Sequence, residues 1–129
     1  MEEYIMTIDE GTTSARAILF NKNSEIVAMC SKEFAQYYPT PGWVEQDPKE
    51  IWLTTKEVMN RVVQQSGIDP KQIKAAGITN QRETVVVYDK NTGEPVYNAI
   101  GWADRRTAPY CHELKAQGKE QMLVDKTGL

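Results

Sequence analysis

The stretch Tyr4-Ile5-Met6-Thr7-Ile8-Asp9-Glu10-Gly11-Thr12-Thr13-Ser14-Ala15-Arg16-Ala17-Ile18-Leu19-Phe20 decides the fold class. An apolar run with β-branched residues ends in a carboxylate. A small, hydroxyl-rich corner follows, and a second apolar run leads away. This pattern reads as strand, tight turn, strand. Gly11 allows close approach of backbone to a ligand, and the hydroxyls of Thr12, Thr13 and Ser14 with their neighbouring amides form a concave set of donors suited to a phosphate. Asp9, at the end of the first run, suits a hard cation such as Mg²⁺ held through water. Arg16 adds a fixed positive charge. The composition of the turn alone fits equally a hairpin whose corner is polar because it faces water.

Downstream, Asn21-Lys22-Asn23-Ser24 is a turn signal. Glu25 to Phe34 then supplies a third strand, antiparallel to the second. Tyr37 to Val44 contains Pro39, Pro41 and Gly42 and reads as a loop pinned by Tyr38 and Trp43. Asp47-Pro48-Lys49-Glu50 is a helix start, with Asp47 as cap, Pro48 in the first helical position and Glu50 placed to close a capping box. Ile51, Trp52, Thr55, Val58, Met59, Val62 and Val63 recur at helical spacing as a core-facing stripe, and Gly67 ends the helix. Asp69-Pro70 begins a short turn. Ile73 to Thr79 reads as a buried strand and Thr84 to Tyr88 as another, with Asp89 to Glu94 a turn before Pro95 to Ile100 returns. A second helix is expected over Asp104 to Gln117. Pro109 requires it either to kink or to begin at Thr107.

The 129 residues are enough for one modest domain with a core. A net charge of −3 argues against nucleic acid or an anionic membrane as partner. No apolar run is long enough for a membrane span, and Met1-Glu2-Glu3 has the wrong charge for a signal peptide. Cys30 and Cys111 lack metal-ligand spacing and read as free thiols of a reducing cytoplasm. His112 reads as a surface side chain. No Gly-x-x-x-x-Gly-Lys-Ser/Thr string occurs, so the phosphate reading does not rest on a P-loop.

Gly77-Ile78-Thr79-Asn80-Gln81-Arg82-Glu83-Thr84 forms the second polar cluster, at a strand's carboxyl end where ligands of α/β folds bind. The Arg82 fork can donate to hydroxyl oxygens, Glu83 can accept from hydroxyl hydrogens, and Trp102 can lie against a short carbon chain. On residue chemistry alone the plainer reading is favoured: an ion pair at a strand end, with Trp102 as core.

The ordered string Asp-x-Gly-Thr-Thr-Ser-x-Arg resembles the first phosphate motif of the sugar-kinase, heat-shock-70 and actin superfamily. Together with Pro41-Gly42-Trp43-Val44-Glu45, Asn80-Gln81-Arg82-Glu83-Thr84, Tyr97-Asn98-Ala99-Ile100, Trp102 and Arg105-Arg106-Thr107, it resembles the glycerol kinases of the FGGY carbohydrate-kinase family over Tyr4 to Leu129. The resemblance implies an α/β, ribonuclease-H-like domain, incomplete here, whose mixed sheet opens with three antiparallel strands and carries helices packed on it. It implies that residues 1–129 are the N-terminal part of the first domain of an ATP- and Mg²⁺-dependent enzyme that phosphorylates glycerol to sn-glycerol 3-phosphate. Thr12, Thr13, Ser14 and Arg16 would bind nucleotide phosphates, with Thr12 also near the transferred group. Asp9 would help hold Mg²⁺, and Arg82, Glu83 and Trp102 would bind glycerol. The catalytic Asp, a neighbouring Gln, a Tyr and the adenine site would lie beyond residue 129, leaving this chain inactive alone. A cytoplasmic homodimer or homotetramer is implied for the whole protein. Rival expectations are another carbohydrate kinase of the family, acting on a ketose or polyol, or a non-enzymatic actin- or heat-shock-like nucleotide switch. Three residues depart from the family pattern. Glu10 stands where Gln is usual and is expected to place negative charge beside the phosphates. Gly101 replaces a larger residue and is expected to loosen Trp102, and Pro109 is unusual.

Overall fold

In the computed structural model, which describes residues 2–129, the opening stretch forms strands β1 (Tyr4–Glu10) and β2 (Ser14–Asn21), followed by β3 (Ile26–Glu33). All three are antiparallel, with Tyr4 opposite Asn21 and Glu10 opposite Ala15 across the first turn. Period-2 alternation sends Met6, Ile8, Ala15, Ala17, Leu19 and Cys30 to one face. On that face lies α1 (Pro48–Ser66), whose Val58 and Val62 complete the core with Phe34. Ala15 and Ala17 leave room for the helix to approach closely.

The α1 boundaries follow the sequence signals. The Asp47 carboxylate accepts from the Lys49 amide at 2.8 Å, and Gly67 ends the helix in the left-handed region with φ of 69°. Glu50 does not close a capping box. Its carboxylate accepts instead from the Ala35 amide (3.0 Å) and the Tyr37 hydroxyl (3.2 Å), tying the preceding loop to the helix. A capping box does occur beyond the end of α1, between Asp69 and Gln72 at the 3-10 turn Pro70–Gln72. The core stripe also needs correction. Thr54, Thr55, Val58 and Val62 are buried, whereas Trp52, one position off that stripe, is 60% exposed with the Lys56 ammonium over its ring.

Strand β5 (Ile73–Thr79) pairs parallel to β1, giving the sheet order β3-β2-β1-β5. It was expected to be buried and is not. As the edge strand of the sheet it leaves Ile78 72% exposed. Thr84 to Tyr88 forms no strand but two isolated bridges, Val85 to Ile100 and Tyr88 to Pro95. Pro95, without an N–H, cannot extend that ladder.

A two-stranded ribbon completes the frame: β4 (Glu45–Gln46) antiparallel to β6 (Ala99–Ile100). A buried ionic cluster anchors it. Glu45, 2% exposed, accepts from the Tyr97 hydroxyl, the Asn98 amide and Arg106, each at 2.8–2.9 Å. Arg106 also donates twice to Asp104 at 2.9 Å and stacks 3.8 Å from the centre of the Trp43 ring. Hydrogen bonds from Arg106 hold the Asp104 carboxyl down at about 2 and lower that of Glu45 as well.

The second helix, α2 (Ala108–Ala116), begins after Thr107, and Pro109 occupies a first-turn position where its missing N–H costs nothing. A third helix, α3 (Glu120–Thr127), had no counterpart in the sequence reading. Cys30 is buried and Cys111 exposed, both as free thiols. Among the described residues no helix is long and apolar enough to cross a membrane.

Candidate functional site

The corner between β1 and β2 is tight. The Gly11 amide donates to the Ser14 carbonyl at 2.9 Å, and a Cβ on Gly11 would stand 3.0 Å from that same oxygen. The carbonyls of the corner turn into the protein. Thr12 O accepts from the side-chain amides of Gln46 (2.7 Å) and Gln36 (3.0 Å), and Thr13 O accepts from the Phe34 amide (3.1 Å). No described acceptor takes the amide N–H of Thr12 or Thr13. These donors and the Thr12 hydroxyl are what a bound oxyanion requires.

Beside the corner, a cleft of about 440 Å³ is lined by Glu10, Gly11, Thr12, Asn80, Gln81, Arg82, Glu83 and Trp102. The two polar clusters of the sequence therefore meet. Two elements bring them together: β5 delivers Asn80 to Glu83 beside the end of β1, and β6 delivers Trp102. The Trp102 indole N–H donates to the Thr12 hydroxyl at 3.0 Å, and its backbone N–H donates to the Thr84 hydroxyl at 3.2 Å. That hydroxyl in turn donates to Gln81 Oε1 at 3.0 Å. Trp102 is 55% exposed, so it is not core, and neither Arg82 nor Glu83 forms an ion pair among the described residues. Glu83 adopts a left-handed backbone with φ of 67°, a conformation that costs a non-glycine residue free energy and clusters at functional sites.

Asp9 and Arg16 lie outside this cleft lining. They are cross-strand partners whose alternation places them on the sheet face away from α1, beside the corner. No group of three or more His, Cys, Asp or Glu able to hold a metal occurs among the described residues. A lone carboxylate next to an anion cradle nevertheless fits Mg²⁺, which is commonly held by one or two carboxylates together with substrate phosphates and water.

Glu10 points the other way, to the helix face. Its carboxyl contacts the Thr55 hydroxyl at 2.7 Å, and its second oxygen is buried without a partner. Burial pushes its pKa up, opposed by the Thr55 hydrogen bond and assisted by neighbouring Asp9. The expected negative charge beside the phosphates is thus turned inward and disfavoured. Gly101 itself is closely held. A Cβ there would stand 3.3 Å from a Val44 methyl, and the Gly101 amide donates to Val44 O at 2.9 Å.

Gln36 and Gln46 were missed by sequence reasoning, while Thr55 was read only as core and Thr84 only as the end of the second polar cluster. The two glutamines act through side chains on distant segments, and a glutamine between a carboxylate and a helix cap reads as surface.

The model of the FGGY family of carbohydrate kinases, N-terminal domain, matches residues 4–129. The chain belongs to this family. FGGY relatives include the glycerol kinase of Chromobacterium violaceum, 56% identical over 128 residues, which are 99% of this chain and 26% of that protein. Glycerol kinase 2 of Thermotoga maritima is 54% identical over 127 residues, 98% of this chain and 26% of that protein. The chain thus spans about a quarter of the length of the curated relatives it matches. Among solved FGGY structures, gluconate kinase from Lactobacillus acidophilus superposes with a TM-score of 0.90 at 29% identity, over all of this chain and 25% of that one. Plasmodium falciparum glycerol kinase with ADP superposes with a TM-score of 0.82 at 35% identity, over 89% of this chain and 23% of that one. The ribonuclease-H-like fold expected from the opening hairpin is therefore that of the FGGY kinases.

Proposed function

We propose that the whole protein transfers a phosphoryl group from ATP to a terminal hydroxyl of glycerol, giving sn-glycerol 3-phosphate, and that residues 1–129 are the N-terminal part of its first domain. The observation that carries this reading is the convergence of Thr12, from the phosphate corner, with Arg82, Glu83 and Trp102 on one cleft. High identity to glycerol kinases supports the choice of substrate.

In this reading the amides and hydroxyls of Thr12, Thr13 and Ser14, with Arg16, hold nucleotide phosphates. Arg82 donates to polyol oxygens, Glu83 accepts from polyol hydroxyls, and the face of Trp102 covers the carbon chain. Asp9 would hold Mg²⁺ together with the phosphates, and the ion would neutralise charge developing on the transferred group. Phosphoryl transfer asks chiefly for positioning and charge neutralisation, and these residues are of the types that provide both. The base that takes the glycerol proton lies in this proposal beyond residue 129, so the chain alone is inactive. We place the complete enzyme in the cytoplasm, as a homodimer or homotetramer.

The test is ADP formation by the full-length gene product with Mg-ATP and glycerol, xylulose or gluconate in turn. Glycerol-dependent turnover, largely removed by Arg82→Ala, is expected. Turnover with gluconate or xylulose alone would instead favour the second reading, another substrate within the family, which the backbone likeness to gluconate kinase keeps in view. Glycerol-dependent ADP formation by the 129-residue chain itself would refute the half-site.

A further inference from the structure

Thr12 is held from two sides by one small piece of structure. From inside the protein, Gln46 on β4, 0% exposed, donates one N–H of its amide to Thr12 O at 2.7 Å and the other to Gln36 Oε1 at 3.0 Å. Gln36 returns a donor to the same Thr12 carbonyl at 3.0 Å, so both lone pairs of that oxygen are engaged. From the cleft side, Trp102, which follows β6, donates to the Thr12 hydroxyl at 3.0 Å. β4 and β6 are the two strands of one ribbon, fixed by the Glu45–Arg106–Asp104 cluster.

Gln46 also has a buried Oε1 with no partner. An amide is an expensive group to enclose when half of it is unmatched, and an apolar side chain would fill the space without that cost. What the amide adds is its two donors. Their effect follows from peptide geometry. No peptide bond among the described residues is cis, and in a trans peptide the carbonyl of one residue and the N–H of the next point in opposite directions. Drawing Thr12 O inward onto Gln46 and Gln36 therefore aims the Thr13 N–H outward, free of any described acceptor. On the hydroxyl, an indole can only donate, so it occupies a lone pair of Thr12 Oγ1 and leaves the hydroxyl proton to be donated elsewhere.

We infer that Gln46 is a positioning residue for an oxyanion ligand at the β1–β2 corner, aiming the Thr13 N–H through the Thr12 carbonyl while Trp102 orients the Thr12 hydroxyl. Because this rests on the phosphoryl-transfer reading, its kinetic test uses the full-length gene product. Gln46→Met keeps side-chain length and removes both donors. The expected result is a fall in kcat of about 10- to 100-fold, as for a reacting group displaced by a fraction of an ångström to one ångström, with KM for glycerol changed less than about 3-fold. Trp102→Phe combined with Gln46→Met should cost less than the product of the two single effects, because both act through Thr12. A folded Gln46→Met protein with unchanged kcat, or with a change confined to KM for glycerol, overturns the inference. Should that variant fail to fold, Gln36→Met, which removes one donor to the same carbonyl from a part-buried side chain, is read by the same split. Absence of turnover in the unsubstituted protein would count against the kinase reading instead. Inorganic pyrophosphate added to the 129-residue chain then decides the inference. A shift of the Thr13 amide resonance that is lost in Gln46→Met upholds it, and no shift, or one indifferent to the substitution, overturns it.

Discussion

At Glu83, backbone stability and the proposed contact to glycerol are set against each other. Its backbone lies at φ of 67°, and its side chain makes no ion pair among the described residues. The left-handed region costs an L-residue with a Cβ roughly 1–2 kcal/mol. Glycine removes that cost but gives back roughly 0.5–1 kcal/mol through greater freedom of the unfolded chain. Glu83→Gly should therefore stabilise the chain by about 0.5–1 kcal/mol, raising Tm by about 2–4 °C for a domain of this size. Glu83→Ala removes the same carboxylate and keeps the Cβ, so its Tm should stay within about 1 °C of the unsubstituted protein. Thermal unfolding of the three proteins by circular dichroism makes the comparison. In the full-length gene product both substitutions should weaken glycerol use, because both delete the proposed acceptor. If glycine and alanine melt together, or glycine melts lower than the parent, the strain argument is wrong.

Three further expectations follow. Burial raises the Glu10 pKa, so the stability that its protonated form contributes is complete below about pH 4.5, the ordinary value, and is lost as pH rises through the folded value. Glu10→Gln should melt higher than the parent at pH 7–8 and lose that dependence; an unchanged melting profile would contradict the inward-turned carboxyl. Asp104 and Glu45 run the opposite way. Their contribution is present above the ordinary carboxylate range and is lost as pH falls, for Asp104 through about 2. Acid unfolding followed by tryptophan fluorescence should therefore begin only below about pH 4, and Arg106→Met should move it to higher pH. Finally, Val58→Ala should cost about 2–3 kcal/mol in urea unfolding, from two buried methyl groups and the cavity they leave, whereas Trp52→Ser should cost less than about 1 kcal/mol. Similar costs would undo the corrected helix face.

What could be read in the sequence was what repeats locally. The β1–β2–β3 meander and α1 show their periods of 2 and 3.6, and Asp47, Pro48 and Gly67 mark the helix ends in the residues themselves. The assignment of a burial state failed where it depends on neighbours. β5 is an apolar strand as read, yet its position at the sheet edge leaves it exposed, and Trp52 lies one step beyond the true stripe. α3 carries Met122, Leu123 and Val124 as partly exposed neighbours rather than as a spaced stripe, so no period announces it. For the site, the corner and the Arg82-Glu83 string were legible as donor and acceptor chemistry, but their meeting was suggested by resemblance rather than by residue type. The clamp on Thr12 left no trace, because Gln36 and Gln46 reach it from 24 and 34 residues away.

The parallel pairing of β5 with β1 also sets an order of events. β1, β2 and β3 are joined by short turns and close quickly, whereas Tyr4 meets Ile73 only across about 70 residues, a much slower search. The proposed phosphate corner belongs to the early hairpin, and Arg82 and Glu83 arrive with the late strand. During synthesis from the ribosome, then, the proposed anion cradle forms before the residues proposed to contact the polyol are in place.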